Sequence, residues 1–156
     1  MHLLVTQPGE INDGSEALDL GQSPGDIVFL SSAASDLAIL TEQYMNRSYP
    51  SLRLANLMQL AHNMSVDLYV ENIIVHAKLV VVRLLGGRGY WPYGVEQIRN
   101  MCLEKNIKLA IIPGDDTPDL ELMELSTLRP EICHRIWQYC SQSGATNIQN
   151  FLNYAS

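Results

Sequence analysis

The residues best placed to do chemistry are Gly86, Gly87, Arg88, Tyr90, Trp91 and Tyr93, gathered in one run, KLVVVRLLGGRGYWPYG, over 78–94. Arg88 puts a planar cation with a rigid fork of donors among three aromatic rings. That combination suits a flat, anionic ligand, or a docking surface. Three glycines in four residues permit positive φ and close backbone approach. Asp115 and Asp116 follow Pro113-Gly114 and form the second candidate, because paired carboxylates accept hydrogen bonds or hold a hard cation through oxygen. Both candidates have structural alternatives. Trp91 and the tyrosines equally serve to wedge a following helix against a sheet, since aromatics are mostly core residues. The two aspartates equally make a turn and cap the next helix through Asp116 or Thr117, with Pro118 at its first position.

Other signatures of chemistry are missing. There is no GxxxxGK[ST], and the 86–89 glycines have neither the spacing nor the lysine of a phosphate-cradling loop. The loop after the first strand reads Thr6-Gln7-Pro8-Gly9, which is no GxGxxG, has too few hydroxyls for a flavin phosphate and lacks the acids of a phosphoacceptor domain. His2, His62, His76 and His134 share no ligand spacing. Cys133, His134 and Cys140 lie on a helical pattern with Ile136 and Trp137, and read as a core stripe rather than a metal site. His76 suits a helix C-terminus, and His62 alone keeps an open functional role. No Ser-His-Asp or Cys-His arrangement assembles, so neither a catalytic residue nor a metal ligand is assigned.

The elements that must position these residues alternate short apolar runs with helical patterns, which predicts an α/β domain. Strands are expected at 3–6, 27–31, 52–57, 79–85 and 107–112. Residues 11–22 are polar and hold at most a short helix. Ser31 or Ser32 can cap a helix carrying Leu37, Leu40 and Tyr44, and Ser65 can cap the next, which carries Tyr69, Val70, Ile73, Ile74 and Ala77. Pro92 suits the first position of a helix striped by Val95, Ile98 and Cys102, and Asn106 is a natural stop. Further helices are expected near 119–125, 131–141 and 147–154. The predicted fold is a five-stranded, mainly parallel sheet with helices on both faces, flavodoxin-like or Rossmann-like, as one domain over 1–156. Strand 79–85 is expected to be central and buried, because it is apolar on both faces. Arg83 is its exception, and must reach a strand end or a carboxylate. The loop beyond a parallel strand's carboxyl end is the usual ligand edge, which would bring 86–94 beside Asp115 and Asp116, with Arg88 exposed.

The chain has 156 residues, 47% of them apolar, and a formal net charge of −7. It is large enough for a real core, and too acidic for a nucleic-acid or anionic-membrane surface. No segment reaches about 18 uninterrupted apolar residues, so no membrane span is expected. The apolar start at His2 lacks the basic flank of a secretory signal, and Met1 reads as a native start. Three cysteines without a CxxC fit reduced thiols in the cytoplasm.

RLLGGRGYWPYG (83–94), PSLRLANLMQL (50–60), MSVDLYVE (64–71) and PGDD (113–116) together resemble the N-terminal region of the large subunit of ATP-dependent cobaltochelatase, a family related to the large subunit of magnesium chelatase. The similarity runs from MHLLVTQPG to NIQNFLNY and covers the chain. It implies a part in inserting cobalt into a corrin ring, hydrogenobyrinic acid a,c-diamide, during cobalamin biosynthesis. Such an enzyme is cytoplasmic, a metal-chelating ligase, and uses ATP through separate AAA+ motor subunits. Cobalt rather than magnesium follows from the closer match to the cobalt branch. The resembling subunit is several times longer, and the last helical pattern keeps an apolar stripe (Ile148, Phe151, Leu152) without a C-cap, so an amino-terminal fragment is expected. On that reading the fragment binds no cofactor itself, while the intact complex uses cobalt and ATP. Its partners are the AAA+ subunits and the corrin substrate, and its role is architectural: enclosing the tetrapyrrole or docking subunits. The alternative is a non-enzymatic small-ligand or protein-docking module on a flavodoxin-like scaffold.

The isolated chain is accordingly expected neither to hydrolyse ATP nor to insert cobalt. Phosphate release by a clean preparation, abolished by a point substitution in this chain, would overturn that expectation.

Overall fold

The computed structural model describes residues 3–5, 17–45 and 49–156, apart from the side chain of Arg88. Five strands form one parallel sheet: β1 (Leu3–Val5), β2 (Ile27–Ser31), β3 (Leu52–Asn56), β4 (Leu79–Leu84) and β5 (Lys108–Pro113), in the order β1-β3-β2-β4-β5. Without β1 the order β3-β2-β4-β5 is the 2-1-3-4 of flavodoxin-like sheets, with β1 added outside β3. The helices are α1 (Ala34–Tyr44), α2 (Asn63–Asn72), α3 (Pro92–Lys105), α4 (Leu120–Met123), α5 (Pro130–Gln142) and α6 (Gly144–Ala155). Short 3₁₀ turns at Leu57–Leu60, Ile74–His76 and Gly87–Gly89 complete the described elements.

The period-two alternation of the strands divides the core into two layers. Val28, Leu30, Ala55, Val80, Val82, Leu84, Leu109 and Ile111 face α2 and α3. Ile27, Phe29, Leu52, Leu54, Val81, Ala110 and Ile112 face α1, α5 and α6. Helices therefore cover both faces, as the continuous apolar strands require. All of β2 and β4 is buried. The strand expected to be central is interior and paired on both sides, but the middle of the sheet is β2, because β1 adds at the far edge beyond β3. Leu85 lies past the end of β4 and is exposed. Residues 6–16, which include Thr6, the loop 6–9 and most of the polar stretch 11–22, lie outside the described residues, as do Met1 and His2; Ala17 to Gln22 form no helix.

Two helix caps here differ from expectation. Ala33, not Ser31 or Ser32, occupies the N-cap of α1. The Ser31 hydroxyl instead accepts from the Ala33 N–H at 3.0 Å and donates to Asp36 Oδ2 at 2.8 Å. His62, not Ser65, caps α2: its Nδ1 accepts from the Met64 N–H at 3.1 Å. Ser65 is buried and accepts from the Leu18 N–H at 2.7 Å, tying the segment before β2 to α2. Pro92 opens α3, and Asn106 ends it in the left-handed region at φ 56°.

Arg83 finds its carboxylate. Its Nη1 lies 2.7 Å from Asp36 Oδ1 in the first turn of α1, and its Nε donates to the Pro113 carbonyl at 3.3 Å. Ser31 and Arg83 are register partners across β2 and β4, so the hydroxyl and the guanidinium hold the same carboxylate from below. The side chains are 8% and 14% exposed, which makes this a buried pair. Removing one partner strands a charge. Asp36→Ala should therefore cost about 3–5 kcal/mol of unfolding free energy in urea denaturation, while Asp36→Leu with Arg83→Met together should recover most of it. A loss below about 1 kcal/mol for the single variant would mean the pair behaves as a solvated one.

Candidate functional site

In an open doubly wound sheet, the crevice forms outside the carboxyl ends of the strands where the chain reverses its winding direction. Here that point lies between β2, followed by α1, and β4, followed by residues 85–91. The Asp36–Arg83 pair sits directly at it. Cys140 of α5 also senses both charges, although burial dominates and pushes its thiol up to about 12.

The loop after β4 turns through Gly86 at φ 102°, a conformation that favours glycine, and then makes one 3₁₀ turn. It ends at Trp91, a non-glycine residue in the left-handed region (φ 60°, ψ 47°) immediately before α3. The indole explains why that conformation persists. Trp91 Nε1 donates to the Leu60 carbonyl at 2.8 Å, and the ring packs on the α2–α3 core layer. It lies over Gly94, where a Cβ would stand 2.1 Å from Cε2. Gly94 is thus the seat of the indole, and Trp91 is the wedge between the loop, α3 and the turn after β3. Tyr93 donates its hydroxyl to Asp67 Oδ1 at 2.7 Å, joining α3 to α2, and this hydrogen bond holds the phenol above its ordinary pKa. Tyr90 remains exposed. The side chain of Arg88 lies outside the described residues.

The exit of β5 is pressed against the exit of β4. The Gly114 N–H donates to the Leu84 carbonyl at 2.6 Å, and a Cβ on Gly114 would meet the Leu85 backbone nitrogen at 2.9 Å. Gly87 and Asp115 accordingly line one hollow of about 400 Å³, together with Thr117, Asp119 and Glu121. Asp116 is exposed and does not line it. The cap of α4 is Asp119, whose Oδ1 accepts from the Leu122 N–H at 3.0 Å, rather than Asp116 or Thr117. Asp115 closes a turn on the Thr117 N–H at 3.1 Å, and its carbonyl accepts from Trp137 Nε1 at 3.0 Å. The structure therefore joins the 86–94 loop to Asp115 as expected. It replaces Asp116 with Asp119 and Glu121, which the helix-start pattern ahead of Leu120 could have revealed.

No group of three or more His, Cys, Asp or Glu that could hold a metal occurs among the described residues. The three cysteines are buried, and burial pushes the Cys102 thiol up to about 12. His134 packs on Trp137 with ring centroids 5.2 Å apart. What the edge does display is apolar surface. Val5, Met58, Met64, Leu85, Tyr90 and Leu120 are all exposed, and each lies at a strand's carboxyl end, in the connection that follows it or in the first turn of the next helix. Leu120 and Leu85 are 67% and 57% exposed. No helix among the described residues is long and apolar enough to cross a membrane.

No protein-family model matches the chain. Along its whole length it is 45% identical to the aerobic cobaltochelatase subunit CobN of a Sinorhizobium species. Over 97% of its length it is 46% identical to the subunit of the same name from Pseudomonas aeruginosa. The chain spans 12% of the length of either relative. The catalytic subunit of cobaltochelatase from Mycobacterium tuberculosis shares the fold, with a TM-score of 0.67 at 21% identity over 83% of this chain and 10% of that one.

Trp91→Ala should lower stability at the low end of the about 3–5 kcal/mol typical of a lost core aromatic, because the ring is only partly buried. Gly94→Ala should cost about 1–3 kcal/mol by expelling the indole from its seat. Both are read by thermal and urea denaturation with Trp fluorescence. An unchanged melting temperature for both would make Trp91 a side chain awaiting a ligand.

Proposed function

Because the chain is homologous along its full length to part of the aerobic cobaltochelatase subunit CobN, we propose that it is the amino-terminal domain of a cobaltochelatase large subunit. The intact subunit inserts cobalt into the corrin ring of hydrogenobyrinic acid a,c-diamide during cobalamin biosynthesis, in a cytoplasmic complex whose AAA+ subunits hydrolyse ATP. Insertion requires a macrocycle held in place, ring nitrogens deprotonated and a divalent metal delivered by His or carboxylate ligands. This domain's part is architectural. Its carboxyl edge covers the tetrapyrrole or seats another part of the complex, and no chemical step is assigned to its side chains.

The observation that carries this reading is that six of the nine exposed large apolar side chains among the described residues lie in the segments leaving the strands' carboxyl ends. Exposed apolar surface concentrated on one side of a domain marks a contact surface. The loop behind it is held by Trp91 and Gly94 rather than left slack, so the surface is presented without a large ordering cost on binding. Arg88 adds a cation suited to a carboxylate of the macrocycle or of a partner chain.

The test uses the intact complex. Leu85→Ser with Leu120→Ser, and separately Arg88→Ala, should slow cobalt insertion by about tenfold or more, equivalent to about 1.4 kcal/mol. The melting temperature of the double leucine variant should stay nearly constant, since exposed side chains contribute little to stability. Insertion at the unaltered rate in both variants would exclude the carboxyl edge from the enzyme's working surface.

A further inference from the structure

The amino edge of the sheet, opposite the site above, carries a second surface with a different chemistry. The chain contains three lysines, Lys78, Lys105 and Lys108, and all three line a single open groove of about 740 Å³ at that edge. Its lining is mixed: Leu128 and Ile132, partly buried, and Tyr154, exposed, stand beside Asn106 and Ser156. A neighbouring hollow of about 310 Å³ shares Ile107, Lys108 and Leu128 with the groove and adds Leu103, which is 52% exposed. The two hollows adjoin through residues 106–108 and Leu128, so apolar side chains and all three lysines border one continuous trough.

We infer that this trough seats an extended or helical polypeptide segment bearing apolar side chains flanked by Asp or Glu, supplied by the remainder of the same large subunit. Three features select that occupant. Two adjoining hollows that combine Leu103, Leu128 and Ile132 with lysines offer a chain segment apolar contacts beside cationic ones. The charge is complementary: a chain of net charge −7 concentrates every lysine it has on this one surface. Lys78 has only a loose contact to Asp26, at 3.8 Å, and among the described residues Lys105 and Lys108 make no ion pair. Charges arranged in this way steer and orient an acidic partner more than they strengthen its binding. Finally, this chain amounts to 12% of its relatives' length, so on the function proposed above most of the polypeptide that must be positioned against this domain lies outside it.

The trough is tested in the full-length subunit, purified without its partners. Limited acetylation with an amine-reactive acetyl ester, read by mass spectrometry, should label Lys105 and Lys108 about tenfold more slowly than in the denaturant-unfolded subunit, as a trough filled about nine-tenths of the time requires. A water-soluble carbodiimide should couple the same lysines to Asp or Glu side chains beyond residue 156. Labelling at the unfolded rate, or coupling confined to residues 1–156, would overturn the inference. Protection that appears only after another subunit is added, with coupling to that subunit, would overturn the assignment of the occupant. Cobalt insertion by the reconstituted complex is measured on the same preparation. Insertion with open lysines sinks the trough alone, whereas protected lysines without insertion sink the proposed function alone.

Discussion

Arg83 is the constraint around which the domain closes. It stands on a strand buried from Leu79 to Leu84, where an unmatched guanidinium would not be tolerated. Asp36 matches it, and does so only because α1 starts directly above the carboxyl ends of β2 and β4. The carboxylate also lies in the first turn of α1, where the helix dipole favours negative charge. Ser31 completes the arrangement from the register partner of Arg83. A slip of one residue between β2 and β4 would set Arg83 opposite Leu30, whose side chain faces the other layer, and would turn the serine away. The pair therefore specifies register, while its net contribution to stability is limited by the desolvation of both charges.

With β2 and β4 so aligned, the reversal of winding falls at their carboxyl ends, and the loops there inherit a defined frame. Residues 86–94 use it in two ways. Trp91 and Tyr93 face inward, to the Leu60 carbonyl and Asp67, and hold α3 against α2. Tyr90 and Leu85 remain outside. A run that reads as one aromatic cluster is thus divided by fold geometry into a packing half and a surface half. The acids after β5 are divided likewise: Asp115 and Asp119 order the turn and cap α4, while Asp116 stays in solvent.

The opposite edge follows from the same parallel topology. Loops entering the strands are short here, Lys78 and Lys108 stand at the starts of β4 and β5, and the ends of α3 and α6 come down beside them. An acidic chain thereby gathers its three lysines around one groove, remote from the carboxyl edge. The domain consequently presents two edges of distinct chemistry.

Much of this was written in the sequence by itself. Strand and helix positions followed from periods of 2 and 3.6, with Pro92 and Asn106 marking the ends of α3. The need of Arg83 for a counter-charge followed from the apolar run around it, and the approach of residues 86–94 to Asp115, though not to Asp116, followed from their places after two parallel strands. Tertiary structure decided the partners. Asp36 lies 47 residues from Arg83, and nothing local in the chain singles it out. The caps of α1 and α2 fell to Ala33 and His62 because Ser31 was drawn to Asp36 and Ser65 to the Leu18 N–H. Whether Trp91 was a binding or a packing residue turned on Gly94, whose missing Cβ matters only once the indole has been placed above it. Local periodicity is a property of a few neighbouring residues and survives without the fold. Which polar group satisfies which other is a property of distance in space, and only the folded chain sets that.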